Sequence, residues 1–536
     1  MAHWRPRQRQ LIDPSPRDDE GARLAILIRK LLLYDFHPGS TKLISNLSSR
    51  TQYVKINDKL YGCVKIVHRV PQGSILGPQM SIVNYVDLQL LDCLVLSTLC
   101  KWSALHTACL TNDWVKVRSL LDEGENIHVR SRLRLTPLHA ACIRGNMDVI
   151  ELLLQRGADP NALDAHCNTP LHVLCMKDDP FLVKLLIRKG AQVNAMTLDG
   201  QSPLSYACRK GNYQTVRILI LHGASLNIRI ENGQTPLHKA CADCNVEVLT
   251  LMLMMRALLN IEDYSGRTAL HIACESGFEN IVTLLIKTGV LVNGRNLNGE
   301  TPLHLACRQG LDAIVRILLE TDVDMSAKNG QGWTPLHLAC MKNHLEIVRL
   351  LVAKGASVYD VNNYTGKSSL HAACMGGNIF IIKFLIQKGV FVDSRDIEGK
   401  TPLHYCASVG QHATAKRLIQ FGAQVNAADH FNNTPLHSIC EYGNLPTLTL
   451  LLDSGAVLDV FGKLDKTPLH LACENGFYRG VEALVASGAN KYAVDANGRT
   501  PLQVSRTKKI YYFLGNEIVG ERAIPPTFNE TTQIRN

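Results

Sequence analysis

The chain has 536 residues, 46% of them apolar, with 57 Lys and Arg against 47 Asp and Glu and a net charge of +10. Residues 1–100 hold 13 Lys/Arg and 8 Asp/Glu, so +5 sits there and the remaining +5 is spread over the other 436 residues, which excludes the concentrated basic face of a nucleic-acid binder. A chain of this length is either several domains or one repeat array.

At the N-terminus, MAHWRPRQRQ is basic, but LIDPSPRDDE stands where a signal peptide needs an apolar core, so residues 1–23 are expected to be an unstructured lead-in. Residues 69–78, RVPQGSILGP, form a loop bounded by Gly and Pro that occurs once. It lacks the GK[ST] ending that brings a Lys and a metal-binding hydroxyl to a nucleotide, so it is no phosphate loop. Residues 82–100, IVNYVDLQLLDCLVLSTLC, are the most apolar stretch; Asp87 and Asp92 interrupt it, which predicts a buried helix or strand and no membrane span.

In order, LLLYDFHPGSTKLISNLSSRTQYVKIND, VKIVHRVPQGSILGP and NYVDL resemble part of the reverse transcriptase of non-LTR retrotransposons over residues 24–93. That polymerase needs three carboxylates on two metal ions. The residues upstream, RDDEGARL, do not match the family's first catalytic Asp, and NYVDL runs on toward KWSALHTAC where the second metal-binding strand belongs. The resemblance therefore implies an inactive fragment joined to a separate C-terminal region. The alternative is an unrelated α/β cap, and the segment is expected to be either a small irregular α/β piece or poorly ordered.

From residue 101 one pattern repeats. SALH stands at 103, TPLH at 136, 169, 235, 301, 334, 401, 434 and 467, with SPLS at 202, TALH at 268, SSLH at 368 and TPLQ at 500; every step is 33 residues except 334 to 368, which is 34. Such a period marks stacked small helical units. The Thr or Ser predicts a helix N-cap, the Pro a first-turn residue, and LHAAC or LHLAC a short apolar helix ended by a Gly such as Gly145, Gly211, Gly277 or Gly310. A second helix, as in MDVIELLLQRG or HLEIVRLLVAKG, ends at another Gly, except that Arg256 and Asp322 stand where Gly is due. Next comes a polar hairpin, its turn Gly two residues before the next motif. The 34-residue step is expected to lengthen the finger around VYDVNNYTG.

This pattern resembles the ankyrin repeat over residues 101–517. The resemblance implies a mainly α solenoid of helix–turn–helix units with β-hairpin fingers: twelve full repeats and a truncated last one within residues 94–517, then a tail over 518–536. LQLLDCLVLSTLC is expected to cap the first repeat, and Tyr511, Tyr512 and Phe513 to close the last. Eleven of the 17 Cys and eleven of the 20 His recur in register. The Cys read as small buried thiols, reduced and spaced too widely to cross-link. The resemblance gives the His a hydrogen-bonding role between units. Residues serving every repeat alike are scaffold, and no single group stands out as catalytic. No enzyme activity, cofactor, metal or small-molecule substrate is expected.

The implied function is a protein-binding scaffold or adaptor, a cytoplasmic monomer with the nucleus as second location, using a concave surface of fingers and first helices. The alternatives are a toxin-like or membrane-associated protein resembling the latrotoxins, or the inactive polymerase relic. Two residues before the turn Gly, the finger tips carry Leu198, Tyr264, Leu297, Tyr364 and Ile397, apolar where turns are ordinarily polar. With Trp333 and Met341 these are the expected partner contacts.

Overall fold

The structure is a computed structural model that describes residues 102–518 and two short strands, β1 (Val54–Ile56) and β2 (Lys59–Tyr61). The chain divides into two units, Met1–Leu91 and Asp92–Asn536. In the first, β1 and β2 pair antiparallel, Val54 opposite Tyr61. The rest of the polymerase-like stretch, its PQGSILGP loop and the apolar stretch offered as an N-terminal cap lie outside the described residues.

The second unit is the expected stack of helix pairs, twelve of them, from Ala104–Thr111 with Trp114–Asp122 to Pro468–Glu474 with Tyr478–Ala486, followed by a closing helix, Lys508–Ile518. The motif residues act locally as their chemistry dictates. Thr136 caps Pro137–Arg144 with an extended backbone, and Pro137 occupies the first turn, where no N–H is needed. Gly145 ends the helix at φ 81°, a left-handed conformation that spares a side chain from clashing with its own carbonyl. Second helices such as Met147–Gln155 bury one stripe, here Val149, Ile150 and Leu153.

The two missing helix-stop glycines are handled differently. Arg256 takes the left-handed conformation anyway, at φ 61°, a strain of about 1 kcal/mol. At Asp322 the chain avoids it: the preceding helix, Asp312–Leu318, is 7 residues long where its neighbours have 9, and the Thr321 hydroxyl donates to Leu318 O.

Eleven of the recurring thiols, with Cys406, are buried, and burial alone pushes Cys109 up to about 12. Cys406 lies one position off the row, and its free thiol is hydrogen-bonded to that of Cys374 across a repeat boundary. At the C-terminal end Ile510, Tyr511 and Leu514 cover the last repeat, with the Phe513 ring 5.8 Å from that of Tyr478. Tyr512 is exposed, so only part of the expected aromatic cap closes the stack. Among the described residues no helix is long and apolar enough to cross a membrane.

Candidate protein interface

The motif His joins each unit to the next. The Thr136 N–H donates to His139 Nδ1 at 3.2 Å, and His139 Nε2 lies 3.1 Å from Asn168 O in the following repeat. A carbonyl can only accept and an amide N–H can only donate, so the imidazole is neutral with its proton on Nε2. The same pair of bonds recurs at His106, His172, His238, His271, His304, His371, His404, His437 and His470. Burial, outweighing the carbonyl contacts, holds His172, His304, His337, His371 and His437 at about 4. His337 is the exception to the linkage: at the 34-residue step the Lys367 and Asp360 carbonyls lie near its buried Nε2, but neither makes a hydrogen bond of good geometry.

The fingers are tighter than hairpins of paired strands. Among the described residues of the array, a single isolated bridge, Val361 with Ser368, has ladder geometry. In most of the other fingers a buried Asp or Asn organises the tip, though Thr197 and Ile230 hold that place behind Leu198 and Glu231. Asp263 N–H donates to Arg267 O, while its Oδ1 accepts from the N–H groups of Ser265 and Arg267 at 2.9 Å. Asn296, Asn329, Asp396, Asp429 and Asp495 do the same. The side chain thus takes amides that a ladder would otherwise pair, which keeps the strands from extending. In the long finger the turn closes one residue later, Asn362 N–H on Lys367 O, as the inserted residue requires.

Apart from Tyr364, whose N–H donates to Asn362 Oδ1 in its own finger, the apolar tips also hang on their predecessors. Tyr264 N–H donates to Asn232 O, Leu297 to Ser265 O, Gly330 to Asn298 O and Ile397 to Thr365 O. At some boundaries the tip side chain lies over the preceding turn glycine: a Cβ on Gly233 would fall 2.5 Å from the Tyr264 ring, and one on Gly366 3.0 Å from Ile397 Cγ2, whereas over Gly266 the nearest atoms are backbone of Asn296 and Leu297. Even so, Leu198, Tyr264, Leu297, Tyr364 and Ile397 are exposed, Tyr264 by 69% and Leu297 by 78%. The structure therefore sets them in one row along consecutive fingers, interrupted by Glu231 and Gly330.

Trp333 does not join that row. It is 8% exposed, its indole 5.4 Å from the His337 ring and its carbonyl accepting from His304 Nε2. The expectation of an exposed indole fails because the residue before the motif lies over the His of its own unit. Met341, half-buried, ends the helix Pro335–Met341.

Among the described residues no group of three or more His, Cys, Asp or Glu could hold a metal ion. The fingers present a row of exposed apolar tips. The family model for ankyrin repeats, three to a copy, matches residues 79–164, 163–230, 220–296, 289–362, 357–429 and 410–495. These stretches make up more than half of the chain, which belongs to the ankyrin-repeat family. A comparison with curated proteins finds no match.

Proposed function

We propose that the protein is a non-enzymatic scaffold or adaptor that grips another protein with its middle fingers, working as a monomer in the cytoplasm. The observation that carries the reading is the exposed apolar row Leu198, Tyr264, Leu297, Tyr364 and Ile397. A solvent-facing edge gains nothing from a repeated apolar residue unless a second surface covers it. Replacing Tyr264, Leu297 and Tyr364 together by Ser should leave helical content and melting temperature nearly unchanged. Capture of partner proteins by the full chain should weaken by at least about tenfold, or 1.4 kcal/mol. If capture is unchanged while stability drops, the tips serve only the stack.

For residues 24–93, of which 79–93 also fall within the ankyrin match, the reading is a polymerase relic, its inactivity resting on the missing carboxylates of the metal site. Primer extension by the full chain with template and Mg²⁺ should give no product. Extension that disappears on Asp87→Asn would overturn this.

A further inference from the structure

The tip row has a gap, and the gap is charged. Gly330 stands where its neighbours carry Leu297 and Tyr364, so the atoms nearest a Gly299 Cβ are all backbone: Gly330 N at 2.7 Å, with the Asn329 carbonyl carbon at 3.1 Å and Cα at 3.4 Å. No larger residue fits at 330 without movement, because its Cβ would meet Asn298 O at 2.8 Å. Below the gap is an open cavity of about 490 Å³ whose walls include Arg295, Asp324, Lys328, Asn363 and Tyr364.

Two cations of adjacent fingers meet at this cavity. Arg295 Nη1 donates to Lys328 O at 3.1 Å, which ties the guanidinium to the next finger. Arg130, Arg229 and Arg395 make the corresponding bond, but to Leu163, Glu262 and Ala428, so at those boundaries the second residue is apolar or acidic. Lys328 Nζ in turn donates to the neutral Asn363 Oδ1, which holds it across the cavity. Neither Arg295 nor Lys328 has an ion-pair partner among the described residues. The one carboxylate in the wall, Asp324, already accepts from the N–H and hydroxyl of Ser326.

We propose that this cavity receives the carboxylate of an Asp or Glu side chain from an extended partner segment, with apolar residues of the same segment on Leu297 and Tyr364. The inference rests on the tip-row reading and adds the partner's chemistry to it. Two cations line the cavity against one carboxylate, Asp324, whose pKa is lowered chiefly by its bond from the Ser326 hydroxyl and in part by the Arg295 charge; the surplus positive charge favours an anion, and the guanidinium can engage a carboxylate with two N–H groups. The apolar tips on either side favour a peptide over a free anion, which could not use them. Leu297 and Tyr364 are two repeats apart, roughly 20 Å, which about six residues of extended chain span. The acidic residue should then sit about three positions from an apolar residue on each side.

The test is selection from a random peptide library on the full chain, followed by affinity measurements. Selected peptides should carry that pattern. Lys328→Gln, which leaves the Arg295 bond to the backbone intact, and Arg295→Gln with Lys328→Gln should each weaken binding, the double variant by at least about tenfold. Changing the peptide's acid to its amide should cause the same loss, with no further loss in the double variant. Inorganic phosphate at millimolar concentration should not displace the peptide. Peptides without an acidic residue, affinity indifferent to both variants, displacement by phosphate alone, or an empty selection would each overturn the proposal. Binding that survives these charge changes but is lost on replacing Tyr264, Leu297 and Tyr364 by Ser overturns the carboxylate site and leaves the tip reading standing. Binding indifferent to every variant overturns both.

Discussion

The melting temperature of the array is expected to fall steeply as the pH drops from 6.5 toward 4, well before the carboxylates matter. In the folded chain burial keeps His172, His304, His337, His371 and His437 at about 4, against an ordinary value of 6.5. His106, His139, His238, His271, His404 and His470 are lowered for the same reason. Because the folded values are depressed, the unfolded chain binds protons first. Stability is complete above about 6.5 and is lost as the pH falls through the window below it. Each strongly lowered His costs roughly 1.4 kcal/mol per pH unit, so roughly 2 kcal/mol at pH 5. Burial is the cause; in addition, a proton on Nδ1 would leave the N–H of the capping Thr or Ser without its acceptor. Asp495, held at about 2 chiefly by Arg499 against its own burial, acts only at lower pH. Thermal unfolding by circular dichroism at a series of pH values checks this. A melting temperature that stays flat between pH 7 and 5 would rule it out.

Gly266→Ala should destabilise far more than Gly289→Ala, although both positions are left-handed, at φ 72° and 81°. The shared part is conformational, about 1 kcal/mol. At Gly289 nothing lies within 4 Å of the new methyl, so that is nearly the whole effect. At Gly266 the methyl would sit 2.8 Å from Leu297 N and 3.1 Å from the Asn296 backbone. Relief requires pushing the next finger away, which breaks the 2.9 Å bond from Leu297 N–H to Ser265 O. The total should exceed roughly 3 kcal/mol, the upper end of ordinary point effects. Denaturant unfolding of both variants gives the comparison, and faster amide exchange at Leu297 in Gly266→Ala locates it. Equal effects would mean that the fingers shift freely.

Helix caps and stops are legible in the sequence because each depends on one residue type at one offset: a hydroxyl at the start, a Gly at the end. The tips are legible for the same reason, since their place relative to the turn Gly fixes their exposure. The buried Asp or Asn behind most tips escapes such a reading, although Asp263, Asn296, Asn329, Asp396, Asp429 and Asp495 recur five residues before the motif. Aligning the repeats on their period exposes the column; a polar residue in a turn otherwise reads as solvated. Trp333 is misplaced by sequence reasoning because its position holds Gln201, Arg267, Glu300 and Lys400 in other units, and the sequence alone cannot say that an indole there lies against the ring of His337. The cavity at Gly330 is out of reach of pattern reading. It exists through the absence of one side chain and the meeting of two cations 33 positions apart.

Because the same His-to-carbonyl bond closes nearly every boundary, the array has a natural quantum of length. A gene that gains or loses a whole unit brings together surfaces that already fit, and no compensating change is needed elsewhere. A gain of one residue is not neutral in this sense. At the 34-residue step the finger absorbs the insertion, but one imidazole donor is left without a well-aligned acceptor. Lineages of such proteins should therefore differ in repeat number far more readily than in repeat length, and each off-length unit should carry its own local repair, as Asn362 does by reaching back to Gln331 O.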